Sequence, residues 1–105
     1  MRPEMEMRMT STSLTQCCHQ LQIALEPGPA IVDITAPMND LLRQAGIQQG
    51  VMEANMVGST GSLTTIEFEP GVVSDLKDAI DRLAPRDGDY AHELAWHDGN
   101  GHSHV

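Results

Sequence analysis

Leu21, Ile23 and Leu25 alternate with Gln20, Gln22 and Ala24, a period of two that predicts a half-buried strand. Glu26-Pro27-Gly28-Pro29 supplies a turn, and Ile31-Val32-Asp33-Ile34-Thr35 reads as a second strand closing a hairpin. The period then changes. Met38, Leu41 and Leu42 share one side of a short helix over 36–44, which Gly46 is suited to stop. Two further strands are expected over 51–57 and 62–68, the first with Met52, Ala54 and Met56 on one side, the second rich in β-branched residues. The clearest helix begins at Pro70, where proline is tolerated in a first turn. Val72, Val73, Leu76, Ala79, Ile80 and Leu83 form its apolar stripe, and Glu67 and Glu69 stand before its start, where carboxylates complement the helix dipole. Pro85 and Asp87-Gly88 end it. The order ββαββα predicts an α+β sandwich, a mostly antiparallel sheet with two helices.

Composition narrows the setting. At 105 residues the chain holds one domain at most, here 11–105, with residues 1–10 expected as a disordered tail or as sequence ahead of the true start. Aromatics are only 3%, so the expected core is aliphatic and methionine-rich. The formal charge of −9 repels phosphate backbones and anionic lipid, which argues against nucleic-acid and membrane partners. No apolar run approaches the roughly 20 residues that span a bilayer, and the N-terminus lacks the apolar centre of a signal peptide. A soluble cytoplasmic protein is the default expectation. Cys17 and Cys18 are adjacent, a geometry that strains a disulfide, so they read as two strand residues facing opposite sides, or as a redox or metal pair.

Three segments can carry chemistry. His92, His97, His102 and His104 fall within the last fourteen residues, beside Glu93 and Asp98. Neutral imidazoles bind zinc and related ions, and on a strand His102 and His104 would share a face. His92 and His97 can close such a site if the chain folds back, with Glu93 and Asp98 as ligands or as partners of the ligands. A solvated loop that is merely rich in histidine is the plain alternative. Gly58-Ser59-Thr60-Gly61-Ser62 can present backbone N–H groups and hydroxyls to a phosphate, or can be an ordinary turn; it is not a P-loop, because no lysine follows. Glu67, on one strand face with Thr65, can serve as a general base or metal ligand, or can be an exposed acid capping the next helix.

In this order and spacing, these segments resemble the YjbQ-like family, also called secondary thiamine-phosphate synthases. Ile31–Thr35 is similar to its early strand, Gly58–Gly71 to its central signature, Asp87–Glu93 to its Tyr-x-His-Asp segment, and Asp98–Val105 to its Asn…Ser-His segment. The likeness runs from about Leu14 to Val105.

The resemblance implies a compact α+β sandwich assembled as a homotrimer. It also implies a divalent metal site, commonly taken as zinc, and a small phosphorylated substrate. The implied secondary activity joins a pyrimidine diphosphate to a thiazole phosphate with release of diphosphate; the family's primary role is unsettled. By position, His92 and His104 match family histidines and Glu67 the signature acid. The resulting assignment places Glu67 as base, Ser59 and Thr60 on phosphate, and His92, His102 and His104 on the metal. Gly58 stands where the signature usually opens with histidine, and His102 is the candidate to compensate. The family continues into strands that complete the sheet, so the chain is expected to be C-terminally incomplete. A non-catalytic metal- or small-molecule-binding trimer and an inactive truncated remnant are the competing readings.

Overall fold

A computed structural model describes residues 4–105; part of the tail expected over 1–10 lies outside the described residues. Among the described residues three helices form: α1 (Thr35–Ala45), α2 (Pro70–Leu83) and α3 (His92–Trp96), followed by a 3-10 turn at Gly101–Ser103.

Among the described residues no strand forms, which overturns the expected sandwich and its mostly antiparallel sheet. The physical reason lies in where each element finds its hydrogen bonds. A helix closes its N–H···O=C ladder within its own segment, whereas a strand needs a neighbour to accept its groups. The segments expected as strands, 20–25, 31–35, 51–57 and 62–68, do not pair with one another. The alternation survives as a difference in exposure: Met52 and Met56 are 52% and 44% exposed, whereas Val51 and Val57 are 98% and 92% exposed. No apolar side chain among the described residues is fully buried. The radius of gyration is 22.8 Å, against about 13 Å for a compact domain of this length.

The helices stand on local signals. In α1, Pro37, Met38, Leu41 and Ala45 continue a half-buried stripe from the N-cap Ile34 at helical spacing. Gly46 ends the helix in the left-handed region at φ 68°, its N–H bonding Arg43 O. Thr35, expected in a strand, instead opens the helix, because the Asp33 carboxylate accepts the Thr35 N–H at 2.9 Å. Hydrogen bonds from the Thr35 side chain and then its backbone hold the Asp33 carboxyl below its ordinary 3.8. Because the folded value is depressed, this contribution is complete above 3.8 and is lost as pH falls through the lowered value. The Thr35 amide resonance is therefore expected to titrate with a midpoint below 3.8, and Asp33→Asn is expected to abolish that titration; a midpoint at or above it would contradict the bond.

In α2, Pro70 occupies the first position and Glu69 is the N-cap, its carboxylate accepting Gly71 N–H at 3.0 Å and Val72 N–H at 2.7 Å. Val72, Val73, Leu76 and Ala79 are half-buried, whereas Ile80 and Leu83 are exposed.

Candidate functional site

The C-terminal segment folds on itself through a series of short-range locks. Ala84 N–H closes α2 on Ile80 O, and Pro85 cannot extend it. The Pro85 carbonyl then accepts Gly88 N–H at 3.1 Å and the Tyr90 hydroxyl at 2.6 Å. That fixes Tyr90 beside the turn. Helix α3 follows, and His97 stops it in the left-handed region at φ 55°, its N–H bonding Glu93 O at 3.1 Å. With Gly99 at φ 70°, the chain reverses and passes back over α3.

Glu93 holds the returning loop. One carboxylate oxygen accepts Gly99 N–H at 2.6 Å and the other accepts Gly101 N–H at 2.7 Å. Gly101 is the one buried residue among those described, and a Cβ there would stand 2.5 Å from Tyr90 Cβ and 2.9 Å from Glu93 Oε1. The 3-10 turn then brings the His104 ring onto His92, centroids 4.6 Å apart, while Trp96 packs 6.5 Å from the same imidazole.

His92 is the meeting point. Its Nε2 lies 3.4 Å from Asp98 Oδ1. The Asn100 amide faces both. Turned with nitrogen inward, it donates to His92 Nε2 at 3.0 Å and to Asp98 Oδ1 and Oδ2 at 2.6 and 3.2 Å. Turned with oxygen inward, it faces only acceptors unless His92 carries a proton on Nε2 or a cation stands between them, so nitrogen inward is the orientation the neighbouring atoms satisfy.

The expected site residues separate into two groups. His92 and His104 come together, though as stacked rings. His102 is half-buried with Nδ1 enclosed and unpartnered. The strand geometry that would align His102 with His104 is corrected: in a 3-10 turn of about three residues per turn, neighbours two apart point to different sides. Among the described residues no three His, Cys, Asp or Glu side chains stand as a metal group, so His92, His102 and His104 are not assembled as one. The side chains that do converge are His92, Asp98 and Asn100, and the last was missed because an amide is inconspicuous beside four histidines. The His92–Asp98 separation of 3.4 Å equals that of two donors each about 2.1 Å from zinc at a tetrahedral angle, whereas the Asn100 contact with Asp98 Oδ1, at 2.6 Å, is shorter.

Ser59, Thr60 and Glu67 are exposed, around a bend in which Gly58 has φ 108° and Met56 lies across Gly61. Among the described residues no hydrogen bond, ion pair or ring contact joins them to the histidines. Glu67 does not cap α2, since Glu69 does. Cys17 and Cys18 are free and exposed.

The family model described as UPF0047 protein YjbQ-like matches residues 19–105. The chain belongs to that family. A UPF0047 protein of Methanothermobacter thermautotrophicus is 28% identical over 75 residues, covering 71% of this chain and 51% of that protein. The chain thus spans about half the length of the curated relative it matches. No solved structure matches. The YjbQ-like match includes both the Ser59–Glu67 segment and the whole Tyr90–His104 unit. Among the described residues no helix is long and apolar enough to cross a membrane.

Proposed function

We propose that this YjbQ-like protein is a metal-assisted, phosphate-handling enzyme whose ion is held by His92 and Asp98, with the Asn100 oxygen as third donor and His104 packed behind the imidazole. The observation that supports the reading is the meeting of His92 Nε2, the Asp98 carboxylate and the Asn100 amide within 2.6 to 3.4 Å of one another. One nitrogen and two oxygens suit a divalent ion of zinc or manganese type. When bound, such an ion neutralises phosphate charge and orients a diphosphate. Ser59 and Thr60 would add hydrogen bonds to phosphate oxygens, and Glu67 would act as base. The reaction is the one implied by the family resemblance, in which a pyrimidine diphosphate and a thiazole phosphate give thiamine phosphate and diphosphate.

Zinc titration followed calorimetrically is expected to show one ion per chain, with binding lost in His92→Ala and in Asp98→Ala. Thiamine-phosphate formation is expected in the zinc-loaded protein and not in His92→Ala. Failure of the unsubstituted chain to take up zinc overturns the reading. The separation of Glu67, Ser59 and Thr60 from the histidines favours a second reading, a non-catalytic metal or small-molecule binder, which zinc uptake without turnover would support.

A further inference from the structure

Glu93 stands next to His92 and offers a carboxylate within the same unit, yet it is not free to bind an ion. Both of its oxygens are taken by backbone N–H groups, Oε2 by Gly99 and Oε1 by Gly101. Those two glycines alternate with Asp98 and Asn100 along the returning loop. The loop therefore gives its N–H groups to Glu93 while the intervening side chains meet His92. We infer that Glu93 is the positioning residue of the His92–Asp98–Asn100 constellation, a carboxylate that sets where the two loop donors stand relative to the imidazole.

Three observations carry this. The two bonds are short, 2.6 and 2.7 Å, as expected when an ionised carboxylate accepts from an amide. They span six and eight residues, so they fix the loop's return rather than a helical turn. Gly101 is closed in by Tyr90 and by Glu93 itself, so the loop is held from both sides. His92 and Glu93 are consecutive in α3, which couples the clamp to the imidazole through one rigid turn. Residues that orient metal ligands in this way commonly change affinity about 10- to 100-fold when replaced.

The inference rests on the proposed metal reading for its second readout only. In the metal-free chain, Glu93→Gln keeps one accepting oxygen but turns an NH2 toward a backbone N–H, so one clamp bond is lost. The Gly99 or Gly101 amide resonance is expected to move upfield, and the His92 ring and Asn100 side-chain amide resonances are expected to shift with it. Leu94→Ala, on the exposed side of the same helix, is expected to leave all four unchanged. Unmoved His92 and Asn100 resonances in Glu93→Gln overturn the inference, whatever the metal does. With zinc added, Glu93→Gln is expected to bind about 10- to 100-fold more weakly than the unsubstituted chain, and an affinity within twofold of it would equally overturn the positioning role. If the unsubstituted chain takes up no zinc while the resonances shift as expected, the metal reading falls and the clamp stands.

Discussion

Gly101→Ala is expected to take apart the C-terminal unit, with loss of the His92–His104 ring contact and of zinc uptake. A methyl group at this position would meet Tyr90 Cβ at 2.5 Å and Tyr90 Cγ and Glu93 Oε1 at 2.9 Å. None of these is the free end of a flexible chain. Tyr90 is tethered through its hydroxyl to Pro85 O, and Glu93 is tethered through both oxygens. Overpacking of this kind costs about 1–3 kcal/mol, and forcing Glu93 away also removes a hydrogen bond to a charged acceptor worth about 1.5–3 kcal/mol. Gly99 is the internal control. It has a left-handed φ of 70° but nothing within 4 Å of a Cβ, so Gly99→Ala carries the backbone strain alone, about 1–2 kcal/mol. Nuclear Overhauser contacts between the His92 and His104 rings, followed in both variants, check the ordering. Equal losses, or an intact contact in Gly101→Ala, would contradict the close packing at Gly101.

The helices were legible in the sequence because their causes are local. Pro70 at the first position, the apolar spacing through Val72, Val73, Leu76 and Ala79, and Gly46 past the end of α1 each act within one turn of chain. The strands were not, and the pattern at Leu21–Leu25 and Met52–Met56 shows why. Alternation states which side a segment would bury but not which segment it pairs with, and among the described residues no two of these segments form a ladder.

The site was legible in its residue types and not in its geometry. Four histidines near the chain's end drew attention to the segment that folds on itself. What arranges them is a set of backbone hydrogen bonds to Glu93 and a close approach at Gly101, neither of which has a period. Helix α3 was missed for the same reason. Its five residues are too few for an amphipathic pattern, though Glu93, Leu94 and Ala95 are good helix formers. Asn100 joins His92 and Asp98 only because the left-handed His97 and Gly99 reverse the chain.

Glu69→Ala is expected to lower the population of α2 about fivefold, with Glu67→Ala leaving it unchanged. A cap usually contributes about 1 kcal/mol. In a packed domain such a loss is masked by tertiary contacts, but α2 has no fully buried residue to hold it. A helix of 14 residues standing on its own ladder is near the marginal length, so the cap acts directly on the helix–coil balance. Glu69 accepts Gly71 N–H and Val72 N–H, two of the donors that a first turn otherwise leaves to water. Glu67 offers α2 no side-chain bond; only its backbone carbonyl is used, by Glu69 N–H at 2.9 Å. Gly71 leaves the room this cap needs, since a Cβ there would press on both Glu69 oxygens at 3.0 and 3.2 Å. Gly71→Ala therefore weakens the cap from the other side even though alanine is the better helix former. Amide exchange rates along Val73–Leu83 measure the effect residue by residue. Faster exchange in Glu69→Ala and Gly71→Ala, with Glu67→Ala at the unsubstituted rate, would establish Glu69 as the residue that starts the helix and leave Glu67 free for the role proposed for it.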